Sequence, residues 1–293
     1  MSRFSLILIA LLFIMNNLNL NAQIKLGIFA DCQYCDCDPS GSRFYRNSRQ
    51  KLNACIGVFN PEKNLEFIVG LGDLIDRNVE SFKDLRPILD RAEHPVYPIA
   101  GNHDFEVAKE KLGEVPQALG IDKMYYFIEK EDWHFIFLNG NEITFQSNNP
   151  EIVAEAEKML AKLKASNQPN SYEWNGGMSR KQINWMEKQL QAAEEKNQKV
   201  AIFCHYPLLP LEAHTLWNSK EVLEILNKYD NIKMWMNGHN HAGNYVHELG
   251  IHFVTLTGMV ETENDNAFAL VSFSDNCITI QGFGREKNRK LEF

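Results

Sequence analysis

Nine apolar runs of five to seven residues punctuate the chain: 24–30, 66–71, 96–100, 134–139, 199–205, 232–238, 252–257, 267–273 and 277–283. Several, such as "EFIVGL" and "KVAIFCH", are apolar almost throughout instead of alternating, as strands covered on both faces are. Between them lie segments with helical spacing of apolar positions, at 48–60, 79–92, 151–166, 179–197 and 219–229, the last with Ser219 as the expected N-cap. Alternation of strand and helix predicts an α/β fold. The last third is richer in strands, which predicts a second sheet packed on the first. Residues 140–178 place Asn, Pro and Gly around one helix and read as an insertion covering one side. Neither a repeat nor an interdomain linker interrupts the pattern.

One stretch falls outside this alternation. Residues 4–15 are apolar, follow Arg3, and give way to a polar segment ending in the small residue Ala22. That run is short for a bilayer span. It reads as a secretory signal peptide over 1–22, cleaved after Ala22, leaving 23–293 as one domain. An uncleaved anchor is the alternative. Export to the periplasm or the exterior is the expectation, with no stable membrane anchor after cleavage. Export would also permit disulfides among Cys32, Cys35, Cys37 and Cys55, whose pairing the sequence leaves open. The crowded "DCQYCDC" could instead be a zinc or copper clip, but no second ligand cluster of the usual spacing follows. Cys204 and Cys277 lie in strand-like runs and read as buried small hydrophobes.

The composition is that of a globular protein, 44% apolar and 23% charged, with a formal charge of −8. No basic face offsets that charge, so nucleic acid is not an expected partner. An acidic protein that handles phosphates needs a local positive centre, and a bound metal is one way to supply it.

The ends of the apolar runs carry the chemistry. The first ends in "FADCQY" with Asp31 and Gln33, the second in "GDLID" with Asp73 and Asp76, and the third in "AGNHDF" with Asn102, His103 and Asp104. Later runs end in "FCHYP" with His205 and "NGHNHAG" with His239 and His241. In parallel sheets, functional groups collect at the carboxyl edge. Asp31, Gln33, Asp73, Asn102, His205, His239 and His241 are seven donors, too many of this kind for one ion. Two ions use them all if one carboxylate bridges, and Asp73 is the natural bridge. Two metals about 3.5–4 Å apart can clamp the attacking and leaving oxygens of a phosphoryl transfer.

The series D-x-Q, G-D-x-x-D, G-N-H-D, H and G-H-x-H resembles the calcineurin-like metallophosphoesterases, from Asp31 to His241 in the family order. The resemblance implies a four-layer α/β/β/α sandwich with two mixed sheets. Most of that family has His where Gln33 stands. Together with "RFYRNSRQKL" (43–52), "YEWNGGMSRKQINWM" (172–186), "HTLWNSKEVL" (214–223) and "GIHFVTLTGMVET" (250–262), the glutamine resembles the manganese-dependent ADP-ribose/CDP-alcohol diphosphatases. The resemblance implies one metal on Asp31, Gln33, Asp73 and His241 and another on Asp73, Asn102, His205 and His239. The implied reaction is hydrolysis of the pyrophosphate link of a nucleoside diphosphate-linked small molecule by a hydroxide held between the two metals. An amide oxygen at Gln33 suits manganese or magnesium better than zinc, so manganese is the expected ion, with iron, magnesium and zinc as alternatives.

The resemblance also implies that His103, outside the family's metal pattern, is free to protonate the leaving oxygen, with Asp76 orienting it as in the family's Asp–His pair. Arg43, Tyr45 and Arg46 are candidates to meet a second phosphate or stack on a base, the ordinary reading being the start of a surface helix. Trp217 is a candidate pocket wall, with packing as the alternative. Asp104 reads as a cap of the following helix. His94, His134, His214, His247 and His252 lack motif support and read as structural or solvated. Two other functions fit the same motifs. One is a broad phosphodiesterase or phosphomonoesterase that includes phosphoproteins among its substrates. The other is a non-catalytic metal-binding extracellular module, which would have no need of His103 and Asp76.

Overall fold

The computed structural model describes residues 23–293; the expected leader over 1–22 lies outside the described residues. Three parallel strands, β1 (Ile24–Phe29), β2 (Leu65–Gly70) and β3 (Val96–Pro98), open the chain. The last three strands, β10 (Ala267–Phe273), β11 (Cys277–Gly284) and β12 (Arg289–Glu292), return antiparallel to complete that sheet in the order β12-β11-β10-β1-β2-β3. The second sheet comes from the stretch of chain between these two groups of strands, and four of its six strands lie in the strand-rich last third. It holds β4 (Tyr126–Lys130), β5 (Trp133–Phe137), β6 (Lys199–Phe203), β7 (Ile232–Asn237), β8 (Asn244–Glu248) and β9 (Ile251–Thr255), in the order β4-β5-β6-β7-β9-β8. Its four central strands are parallel, and the edge strands β4 and β8 pair antiparallel.

The sheets face each other across an apolar layer. Leu26, Ile28, Phe67 and Val69 meet Phe135, Phe137, Phe203 and Met236 there, all with essentially no exposure. Phe67 and Phe135 touch edge to face at 5.5 Å, as do Phe135 and Phe273 at 5.2 Å, geometries that suit the aromatic quadrupole. The outer face of the first sheet is covered by α1 (Tyr45–Phe59) and α2 (Ser81–Leu89), through Leu52, Phe59, Phe82 and Leu85. The short α3 (Val115–Leu119) adds Val115 to this layer. On the outer face of the second sheet lie α5 (Arg180–Glu195) and α6 (Ser219–Leu226), through Ile183, Met186, Leu190 and Val222. The result is a four-layer α/β/β/α sandwich with two mixed sheets.

The region 140–178 contains α4 (Pro150–Ala165), capped by Asn149, whose side chain accepts from Glu151 N. Its apolar residues Ala156 and Leu160 pack with Ile143 and Trp217 in a small separate cluster. Ser219 is the first residue of α6, not its cap. Asn218 stands at the cap position, but its amide is bonded to Met178 N and O instead. Cys204 is buried beyond the end of β6, whereas Cys277 is only half-buried at the start of β11.

Candidate metal centre

Beyond their last paired residues, β1 and β2 stay stitched together. Asp31 N donates to Gly72 O at 3.2 Å and Gln33 N to Asp73 O at 2.7 Å. This brings the loop of Asp31 and Gln33 beside the loop of Asp73. The neighbouring turns close in from β3, β6 and β7. His103 N donates to Asp73 Oδ1 at 2.8 Å, and His239 N donates to Asp31 Oδ1 at 3.0 Å. Such approaches need missing side chains. A Cβ on Gly101 would lie 2.0 Å from Asp73 Oδ1, and one on Gly238 would lie 2.6 Å from Asp31 Oδ2. Asp31, Gln33, Asp73 and His239 all hold positive φ, between 43° and 68°. Four non-glycine residues in that region at one rim are the kind of strain that a folded framework sustains at functional sites.

All seven expected donors converge, and all are buried apart from a partial opening at His241. Ligand atoms of Asp73, His205 and His239 lie within 4.8 Å of one another, as do those of Asp31, Asp73 and His241. Asp73 belongs to both groups.

Hydrogen bonds on the far side of each ring decide which nitrogen faces inward. His205 Nδ1 donates to Leu71 O at 2.8 Å, leaving Nε2 inward, 3.3 Å from Asp73 Oδ2 and 3.2 Å from Asn102 Oδ1. His241 Nδ1 is fixed by Glu261 Oε1 at 2.7 Å, leaving Nε2 toward Asp31 Oδ1 at 3.6 Å. His239 Nε2 donates to Asn175 Oδ1 at 2.9 Å, which leaves Nδ1 as its ligand atom. The Asn175 amide is itself locked, because its Nδ2 donates to Asn170 O and Ala213 O.

Such a set fits cations and little else. A neutral His205 would aim a lone pair at two more acceptors, an arrangement that repels unless a positive charge sits among them. Asp31 Oδ2 and Gln33 Oε1 are buried acceptors with no hydrogen-bond partner. Buried polar groups without partners are costly, and the cost disappears if a metal takes the lone pair. Gln33 Nε2 donates to Asp73 Oδ2 at 3.1 Å, so the orientation of the amide leaves its oxygen free.

The electrostatics agree. Burial raises Asp31 above the usual carboxylate range, against the pull of His241 and His205. Burial also opposes charge on Asp73, but His205 and His103 outweigh it and hold Asp73 well below that range. The same attraction overcomes the burial of His205 and pushes it up to about 9. His239 is kept neutral by its burial and by the nearby His205.

His103 stands at the edge of this group. Its Nδ1 lies 3.1 Å from Asp76 Oδ1 and 3.2 Å from Glu106 Oε2. Burial works against its charge, but Asp73, Asp76 and Glu106 prevail and raise it well above an ordinary imidazole. Asp104 does not cap a helix. Its buried carboxylate accepts from Asp73 N, Leu74 N, Ile75 N and Gly101 N at 2.8–3.1 Å and so pins the Asp73 loop to the Gly101 loop.

The peripheral candidates scatter. Arg43 Nε lies 3.7 Å from Glu261 Oε1 at the rim. Arg46 turns away and is clamped by Asp36 and Asp38. Tyr45 is buried beneath the guanidinium of Arg77, so its ring face is already covered. Trp217 packs edge-on against Phe145 and donates to Tyr172 O. It lines a groove of about 1000 Å³ between α4 and α6 that contains none of the seven donors. Cys35 and Cys37 are joined in a disulfide and Cys32 and Cys55 are buried thiols, so these sulfurs form no zinc or copper clip. Glu261, Asn175, Glu106 and Arg77 belong to none of the donor motifs in the sequence. His214 was read as structural, yet its ring lies 5.4 Å from that of His239.

Residues 24–243 match the sequence profile of the family described as Calcineurin-like phosphoesterase. A manganese-dependent ADP-ribose/CDP-alcohol diphosphatase of Arabidopsis thaliana is 29% identical, over 92% of this chain and 96% of its own length. The protein of that name in Homo sapiens is 24% identical, over 92% of each. A crystal structure of a dimetal phosphatase from Danio rerio superposes with a TM-score of 0.82 at 22% identity, covering 92% of this chain and 99% of that one. The matched profile spans the five strand ends that build the centre, and on that ground the chain belongs to the calcineurin-like phosphoesterase family.

Proposed function

We propose that this protein hydrolyses the pyrophosphate bond of nucleoside diphosphate-linked small molecules of the ADP-ribose or CDP-alcohol type, using two divalent cations, manganese foremost. The observation that carries this reading is the donor set itself, two groups sharing Asp73 with a neutral amide oxygen at Gln33. Asp31, Gln33, Asp73 and His241 would hold one cation, and Asp73, Asn102, His205 and His239 the other. Two carboxylates against two divalent cations leave two positive charges. That surplus suits an anionic phosphate substrate, and the likeness to the diphosphatases points to the pyrophosphate class.

When bound, the cations supply Lewis acidity and bring the pKa of water toward neutrality. The protein's own contribution is orientation and proton transfer. Glu261, Asn175 and the Leu71 carbonyl fix the tautomers of His241, His239 and His205. His103, charged and held at Nδ1 by two carboxylates, presents Nε2 as the donor to the leaving phosphate oxygen. Parallel assays of ADP-ribose, CDP-choline, a cyclic nucleotide and a simple monoester, with metal analysis of the same preparation, test the reading. Preferred turnover of the monoester would replace it with a broad phosphatase. Metal binding without turnover of any of the four would leave the non-catalytic module.

Export is part of the proposal. The pattern of residues 1–22 supports it, and the disulfide between Cys35 and Cys37 suits an oxidising compartment. N-terminal sequencing of the protein from its native cells should begin at Gln23. An intact Met1 would contradict cleavage.

A further inference from the structure

Arg77 directly follows Asp76, and the motifs give it no role. It holds a positive φ of 68°, a backbone conformation that glycine adopts freely and arginine only under strain. Its guanidinium carbon sits 5.1 Å from the centroid of the buried Tyr45 ring, which serves as its platform. The nearest carboxylate oxygen, Asp76 Oδ2, is 3.7 Å from Nε, too far for a hydrogen bond. The side chain remains 54% exposed and makes no hydrogen bond to another described residue. Arg46 differs in having both of its acidic partners in contact.

The position matters as much as the freedom. The other oxygen of Asp76 holds His103 at 3.1 Å, so one carboxylate links the loose guanidinium to the proton donor. Arg43 stands comparably on the other side, its Nε 3.7 Å from the Glu261 carboxylate that fixes His241. Tyr45, two residues from Arg43 and under Arg77, joins the two arms along the rim. A phosphate leaving from the His103 side needs positive charge as well as a proton, and a guanidinium fork matches its oxygens.

We infer that Arg77, on its Tyr45 platform, binds the second phosphate of a diphosphate substrate, the one that departs, and so distinguishes diphosphates from substrates with a single phosphate. This assignment rests on the pyrophosphatase reading above.

Arg77→Gly and Arg77→Lys test it in the manganese-loaded protein. Glycine relieves the strained φ, so the melting temperature of Arg77→Gly should equal or exceed that of the wild type. Calorimetry should show affinity for α,β-methylene-ADP falling about 10- to 100-fold in Arg77→Gly, the worth of a charged hydrogen-bonded contact. AMP affinity should fall far less, and Arg77→Lys should lie between. Turnover of ADP-ribose should likewise fall much more than turnover of bis-p-nitrophenyl phosphate, which has no second phosphate. Equal losses for α,β-methylene-ADP and AMP, or no loss for either, would overturn the inference. If wild type cleaves ADP-ribose and Arg77→Gly does so equally well, the inference fails while the proposed function stands. If wild type cleaves no pyrophosphate yet α,β-methylene-ADP still depends on Arg77, the binding site stands and the proposed function fails.

Discussion

Gln33 and His103 separate two kinds of work within a few ångströms. Gln33 offers a buried, unpartnered amide oxygen to a cation while its nitrogen stays on Asp73. Oxygen donors favour harder ions, so manganese should restore the metal-stripped protein better than zinc. Recovery with zinc and none with manganese would contradict this. Gln33→His adds a nitrogen donor and should move the preference toward zinc, read as the ratio of the two restored activities. His103 donates no ring nitrogen to either ligand group, since its Nδ1 is held between Asp76 and Glu106. His103→Ala should therefore lower turnover about 10²- to 10⁴-fold, the usual worth of a positioned general acid. Asp76→Asn should act in the same direction more weakly. Metal content of both variants, measured by mass spectrometry, should stay near two ions per chain. Metal loss in step with activity would instead place His103 and Asp76 in the ligand framework.

Among the elements, the central strands were legible because each is buried on both faces and reads as an uninterrupted apolar run. β4, β8 and β12 were not, because they are short edge strands with exposed Glu, Lys and His positions that break the run. The seven donors were legible because each closes a strand. Asp104 was misread because its four partners include residues 73–75, about thirty positions away, so only the fold reveals what it holds. Asn175 and Glu261 lay inside stretches that had served as marks of family likeness, with nothing local to tie either to a histidine. The consequence for Asp104 is measurable. Removing its carboxylate leaves four buried N–H groups without an acceptor, each costing about 1–3 kcal/mol if unrelieved. Asp104→Ala should destabilise the protein by roughly 3–5 kcal/mol in urea unfolding, after allowance for relaxation and entering water. Asn175 belongs to the 140–178 region and reaches the centre through one amide. Asn175→Ala strips a partner from two carbonyls and from His239, and should cost about 1–3 kcal/mol of stability while weakening one metal site about 10- to 100-fold, the range for ligand-orienting partners. Equal weakening of both sites in a manganese titration would show that Asn175 acts through the fold and not through His239.

At the scale of the molecule, the centre couples metal, protons and stability. It lies where loops of the two sheets meet: Asp31, Asp73 and Asn102 follow strands of the first, and His205, His239 and His241 follow strands of the second. Without cations, protons do part of their work. Despite burial, Asp73 pushes His205 up to about 9, and carboxylates raise His103 well above the ordinary imidazole value of 6.5. The folded state then holds more protons than the unfolded chain between about pH 6.5 and 9. Stability from His205 is fully present below about 6.5 and is lost as pH rises through about 9, and that from His103 has the same sign. Asp104, pushed up to about 7 by burial and by Asp73, has the same sign over a lower range, from its ordinary 3.8 to about 7. His239 has the opposite sign, but only below about 6.5, where its unfolded form takes up a proton. Metal-free protein should therefore lose on the order of 1–3 kcal/mol between about pH 6.5 and 8.5, or several degrees in melting temperature for a chain of this size. Cations replace the proton on His205 and need that ligand bare, while His103 keeps its own. The gain in melting temperature on manganese reloading should accordingly be larger near pH 8.5 than near pH 6.5, with protons released as metal binds. Melting curves of chelator-treated and reloaded protein at both values, with proton release followed by an indicator dye, decide the matter. A gain independent of pH, with no protons released, would mean that the histidines face the cations already neutral and that Asp73 holds no proton on His205.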